Sequence, residues 1–307
     1  MLKPRALQSG DRVAVIAPAS SFERAEFDDG IAELQRLGFE PVFDETVFAR
    51  RAYVAGDGAS RAAAFLRAWR DRSIAGVIAA RGGYGSVHVL PWLTPAELRA
   101  TPKAFIGYSD LTSLHTHLTV NCGIVSFHGP MLAGRLSRQE AGYDRRSFVD
   151  CLTKSEPLGD LRPPSLTVIN RGTAEGLLFG GTLTQLAASL GTPYAFHPPN
   201  GHVLFLEDVN ERPYRLDRML TQLRLSGVLG AASAVVFGEL SKCDEPGGDP
   251  TARDTIADLL HDFPGPVLFG FPSGHTSGPA ITLPLGVRAR VVADARPHIV
   301  IEEAAVA

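Results

Sequence analysis

The strongest constraint on what this chain can fold into is a series of short, wholly apolar runs in its first half. Each run ends in a turn signal, and helical patterns separate one from the next. Val13–Ala17, rich in β-branched residues and closed by Pro18, reads as a buried strand. Phe27, Ile31, Leu34 and Leu37 then recur at helical spacing, with Gly38 where a C-cap glycine belongs. Pro41–Phe43 suggests a second strand, and a helix around Arg61–Arg70 carries Phe65, Leu66 and Trp69 on one face. Ile74–Ala80 and Ala104–Ile106 are further strands. The second of these runs into a helical stretch, Leu111–Val120, before a last strand at Gly123–Phe127. Strands apolar on both faces and alternating with helices predict a parallel sheet covered on both sides, that is, a doubly wound α/β domain over residues 1–150.

The remaining length calls for a second domain, because 307 residues exceed one ordinary core. The Pro-, Gly- and charge-rich stretch from Lys154 to Ser165 is the expected connection, spanning residues 151–168. Beyond it, strands are predicted at Val203–Leu206, Ala234–Phe237 and Val267–Phe269, with short strands from Ala280 to Ile301 and one clear helix at Tyr214–Leu225. Residues 169–307 therefore read as a β-rich mixed domain.

Composition limits the function classes. A formal net charge of -3 with no Lys/Arg run leaves out the basic footprint that nucleic-acid binding needs. Three widely spaced cysteines, Cys122, Cys151 and Cys243, suit neither a disulfide framework nor a structural zinc site. H-E-x-x-H is absent, and neither metal nor cofactor is expected. The apolar run near the N-terminus is too short for a signal peptide, and no stretch is long enough to cross a membrane. The expected compartment is the cytoplasm.

In open α/β sheets, chemistry collects at the carboxyl ends of strands. One such end here is Gly107-Tyr108-Ser109-Asp110, a serine on a tight strand-to-helix turn, with the N–H of Asp110 free to face an anion. Read locally, Ser109 is equally suited to capping the helix that follows. Another is Arg81-Gly82-Gly83-Tyr84-Gly85, whose backbone N–H groups can form an anion nest, half an oxyanion hole, or only a tight turn. A serine nucleophile needs a base and a group to orient that base. Of nine histidines, His115 and His117 lie on the helix after Ser109, where at least one should be structural, and His128 follows a strand and could line a cleft. His275, in Gly274-His275-Thr276-Ser277-Gly278, is the most suggestive. The sharpest carboxylates are Glu207 and Asp208, which end the apolar run Val203–Leu206.

Taken together, Ala80-Arg81-Gly82-Gly83-Tyr84-Gly85, Gly107-Tyr108-Ser109-Asp110, Leu206-Glu207-Asp208 with Pro213–Leu220, and Gly274-His275 resemble the LD-carboxypeptidases. These are serine peptidases of cell-wall recycling, a family that also contains the microcin C self-immunity peptidases. The resemblance runs over nearly the whole chain, with its motifs in order. It implies Ser109 as nucleophile, His275 as general base, Glu207 as the orienting carboxylate, and an oxyanion hole of the Gly83 and Asp110 N–H groups. It implies a flavodoxin-like or amidotransferase-like domain bearing the serine, and a β-rich domain bearing the glutamate and histidine. It also implies a small muropeptide as substrate, cut before a terminal D-Ala, and a homodimer. Arg81 and Arg212 are the candidate partners for the substrate's carboxylate.

Overall fold

Each apolar run of the first half forms a strand in the computed structural model, which describes all 307 residues. In chain order these are β1 (Arg12–Ile16), β2 (Glu40–Val42), β3 (Ile74–Ala79), β4 (Ala104–Gly107) and β5 (Ser126–His128). The second half supplies β6 (Gly159–Leu161), β7 (Thr167–Asn170), β8 (Gly172–Thr182), β9 (His202–Glu207), β10 (Ala232–Gly238), β11 (Val267–Phe271), β12 (Leu283–Leu285), β13 (Arg288–Ala293) and β14 (His298–Ile301).

The first sheet has the order β12-β5-β4-β3-β1-β2. Its five N-terminal strands run parallel, and β3 and β4 are buried along their whole length, as strands covered on both faces must be. The helix Gly58–Arg70 shows how local sequence sets an element: Asp57 caps it by accepting from the Ser60 N–H at 2.8 Å. Its inner face buries Phe65 stacked on Trp69, ring centroids 5.2 Å apart.

The second sheet, β6-β14-β13-β8-β9-β10-β11-β7, is mixed. Its centre, β8 to β11, is parallel, while the strands on either side are antiparallel. The molecule is thus α/β, with a parallel-rich first sheet and a β-rich, mixed second half. Two features depart from simple halves. Residues 151–168, expected as a connection, begin in the helix Arg145–Thr153 and contain β6, which pairs with β14. Strand β12 crosses back from the second half to pair antiparallel with β5, setting Leu283 opposite His128. One apolar core accordingly runs through both halves, from Val15 and Phe127 to Phe205, Phe271 and Leu283.

Candidate active site

Two sets of parallel strands end at one cleft. From the first sheet come the ends of β1, β3 and β4; from the second come Thr182, Glu207, Gly238 and Phe271, which close β8 to β11 side by side. Both sheets obey the rule that open parallel sheets build sites at their carboxyl ends.

Ser109 lies two residues past the end of β4, after Tyr108, and is partly exposed. Its φ is +65°, a left-handed conformation that costs a non-glycine residue about 1 kcal/mol or more. The helix after it starts at Thr112 without a side-chain cap, and the Ser109 hydroxyl bonds to no backbone group in it. Capping therefore does not account for this serine. The turn is braced from below by His115, whose Nε2 lies 2.7 Å from the Gly107 carbonyl and whose Nδ1 lies 2.9 Å from Ser126 Oγ. Both helix histidines, His115 and His117, are buried. The helix itself is seated on the second sheet where the Thr182 N–H donates to Thr112 Oγ1 at 3.0 Å. Gly181 makes room for that approach, since a Cβ there would stand 2.5 Å from the same oxygen.

The glycine loop packs directly on the serine: a Cβ on Gly82 would lie 3.1 Å from that of Ser109. Ser20, after β1, ties the loop down by donating its N–H to the Gly82 carbonyl at 3.1 Å and accepting the Tyr84 N–H at 3.0 Å. Asp110 links loop and turn, because its carboxylate accepts the Ser86 N–H at 2.7 Å while the Ser86 hydroxyl donates to its carbonyl at 2.6 Å. Gly83, in the left-handed region at φ +95°, is exposed, and neither its N–H nor that of Asp110 has an acceptor in the chain.

On the opposite wall, Glu207 is buried and grips the histidine loop at two points. Its Oε2 accepts from His275 Nδ1 at 2.7 Å and from the His275 N–H at 2.8 Å. Its Oε1 accepts the Thr182 hydroxyl. Burial alone would raise this carboxyl. The imidazoles of His275 and His128 and the hydrogen bonds from His275 and Thr182 outweigh it and hold the group at about 2. His275 is shifted the other way: burial lowers it, but the Glu207 carboxylate prevails and raises it above the ordinary imidazole value. Gly274 makes the grip possible. It takes φ +74°, and a Cβ there would stand 2.5 Å from Glu207 Oε2. The His275 ring stands edge to face with Tyr108, centroids 5.1 Å apart, which puts the imidazole beside the residue that precedes Ser109. No hydrogen bond joins Ser109 Oγ to the ring.

Some neighbours carry no sequence motif. His128 does more than line the cleft: it is fully buried, its Nδ1 3.0 Å from Ser273 Oγ and its Nε2 4.0 Å from Glu207 Oε1. Burial depresses it to about 4, so it stays neutral beside the carboxylate. Asp208 turns away to cap the helix Leu183–Ser189 through the Thr184 N–H and hydroxyl, and burial raises it to about 6. Thr182, ending a glycine-rich strand, gave no signal of its own. Of the two candidate cations, Arg212 is paired with Glu245 at 2.5 Å, and Arg81 is exposed with its guanidinium on the Ser21 carbonyl.

Comparison with known proteins identifies the family. Residues 13–129 match the LD-carboxypeptidase N-terminal domain, and residues 175–291 match the LD-carboxypeptidase C-terminal domain. The chain belongs to the LD-carboxypeptidase family. Among its relatives, a probable murein peptide carboxypeptidase of Bacillus subtilis is 34% identical, covering 94% of this chain and 90% of its own length. The microcin C7 self-immunity protein MccF of Escherichia coli is 29% identical, over 89% of this chain and 87% of its own. The crystal structure of a muramoyltetrapeptide carboxypeptidase from Oxalobacter formigenes superposes with a TM-score of 0.82 at 30% identity, covering 94% of this chain and 97% of that one. As an LD-carboxypeptidase family member the protein is a carboxypeptidase hydrolase. No helix in it is long and apolar enough to cross a membrane.

Proposed function

We propose that this LD-carboxypeptidase is a serine-type enzyme that hydrolyses the L,D-peptide bond before the terminal D-Ala of muropeptide tetrapeptides, in peptidoglycan recycling. The observation that carries the reading is the pair of buried Glu207 and half-buried His275, which faces the left-handed Ser109 turn across the cleft. Glu207 fixes the proton on His275 Nδ1 and so leaves Nε2 as the basic nitrogen. Ser109 Oγ attacks the scissile carbonyl while His275 Nε2 accepts its proton. The unengaged Gly83 and Asp110 N–H groups receive the oxyanion. His275 then protonates the leaving D-Ala amine, and water attacks the acyl-enzyme by the reverse proton path. Murein-directed relatives in curated and crystallographic form support this substrate class.

The deciding experiment is incubation with L-Ala-D-Glu-mDAP-D-Ala and mass spectrometry for lost D-Ala. Ser109→Ala should lower kcat by on the order of 10⁴-fold or more. Full activity in that variant would remove the serine from the mechanism. The reading also takes the enzyme to be a cytoplasmic homodimer on the family resemblance. Light scattering on the purified chain tests the assembly.

The likeness to MccF supports a second reading, self-immunity against a peptidyl-nucleotide antibiotic. A nucleobase needs an aromatic platform. Trp69 is fully buried and cannot provide one, whereas Tyr84 in the glycine loop and its neighbour Tyr53 are exposed. Competition between the tetrapeptide and an aminoacyl-sulfamoyl adenosine separates the two readings.

A further inference from the structure

Arg135 is a buried cation that the proposed mechanism does not use. It lies shortly after β5, in the half that carries Ser109, and the residue is only 5% exposed. Its guanidinium makes four hydrogen bonds to backbone carbonyls and also lies against the Tyr108 hydroxyl. Nη2 donates to Gly274 at 2.9 Å and to Thr276 at 2.6 Å; Nη1 donates to Gly278 at 2.8 Å and to Gly142 at 3.1 Å. Three of the four acceptors bracket His275 in the loop that leaves the second sheet. A planar fork with fixed donor directions holds such a loop more narrowly than a flexible ammonium could.

We propose that Arg135 is a positioning residue for the reaction, setting where the His275 imidazole stands relative to Ser109. The inference rests on the reading of His275 as the general base. Glu207 fixes one edge of the ring from the second half. Arg135 fixes the loop backbone on both sides of it from the first half, so the base is referenced to the nucleophile's own domain. A 1 Å error in such a separation can cost about 100-fold in rate.

The guanidinium makes no salt bridge, so its charge also acts on the imidazole. The charged and titratable groups facing His275 are Glu207 and Asp208 from the end of β9, Arg135, the neutral His128 from β5, and Tyr108 after β4. Glu207 and Asp208 favour the imidazolium, while Arg135 opposes it. Removing the cation should therefore shift the acid limb of kcat/KM to higher pH. A merely structural arginine would not do this.

The test compares wild type, Arg135→Met, Arg135→Lys and a Ser109→Ala control. The readouts are tetrapeptide hydrolysis across pH and the rate of Ser109 labelling by a fluorophosphonate. For Arg135→Met we expect kcat to fall by about 100-fold or more with KM changed by less than about threefold. Labelling should slow in parallel, and the acid limb should rise by about half a pH unit or more. Arg135→Lys should keep the wild-type limb, because the charge remains, and still label slowly, because the fork is lost. A folded Arg135→Met with wild-type kcat and limb, or with its whole defect in KM, overturns the proposal. Should Arg135→Met fail to fold, Arg135→Lys decides: labelling at the wild-type rate overturns it, and slow labelling at an unchanged limb supports it. A wild type inert towards the tetrapeptide but labelled in an Arg135-dependent way supports this role and removes the substrate reading. A wild type that is never labelled at Ser109 overturns both.

Discussion

Replacing Glu207 by Gln keeps the shape of the orienting side chain and deletes its charge. In the folded protein this carboxyl sits at about 2 against an ordinary 4.5, a preference for the ionised form worth about 3 kcal/mol. The His275 contact is the largest influence opposing the burial penalty. In Glu207→Gln the imidazolium loses that partner while its own burial, the largest influence on it, remains. The acid limb of kcat/KM should therefore drop from above 6.5 to below it. The amide can also bond the ring in the wrong tautomer, and by analogy with other triads kcat should fall about 10³- to 10⁴-fold. The stability effect has its own pH window. A depressed carboxyl stabilises the fold above its unfolded pKa and loses that contribution as pH falls through its folded one. The wild type's advantage over Glu207→Gln should thus shrink between about pH 4.5 and about 2. His275 acts oppositely: its raised value adds stability below about 6.5 that disappears as pH rises through the folded pKa. Stopped assays over pH 4–9 and urea melts at several pH values read both effects. An unmoved or raised acid limb, or a kcat loss under about tenfold, would refute the charge argument.

Ser109→Gly should be as inactive as Ser109→Ala yet more stable than it by about 1 kcal/mol in denaturant melts, because only glycine is relaxed at φ +65°. Gly274→Ala should lose activity by more than about 100-fold, as its methyl group enters the space of Glu207 Oε2 and its φ becomes strained. Circular dichroism would confirm that the rest of the fold survives. Thr182→Val removes the hydroxyl from Glu207 Oε1 and should lower kcat by about tenfold at unchanged KM, with Thr182→Ser restoring most of it. An undiminished kcat in the valine variant would make that hydroxyl a packing detail.

Much of this architecture was legible because the first sheet is built from central strands. Runs such as Val13–Ala17 and Ile74–Ala80 are apolar throughout, and burial on both faces permits little else. β8 was not legible. Its eleven residues contain four glycines, which erase both the alternation and the apolar signal, and two of them, Gly180 and Gly181, stand where Phe205 and Thr112 approach the strand closely. β6 and β7 lay hidden in a polar, proline-rich stretch whose strand character comes from pairing with β14 and β11. The site divides the same way. Ser109, Glu207 and His275 each stand at a strand end or in a glycine loop, which sequence reports. Thr182 and Arg135 act through contacts across the chain, and no local pattern marks them.

The returning strand β12 bears on how the molecule is made. Because Leu283–Leu285 borders β5, the nucleophile's sheet lacks its last member until β6 to β11 have all been synthesised. During synthesis, His128 would meet only an open flank, and the histidine loop and that flank would be delivered within a dozen residues of each other. The hydrolase should therefore acquire its reactive hydroxyl early and its competence late, in a single closing step once β12 has been made.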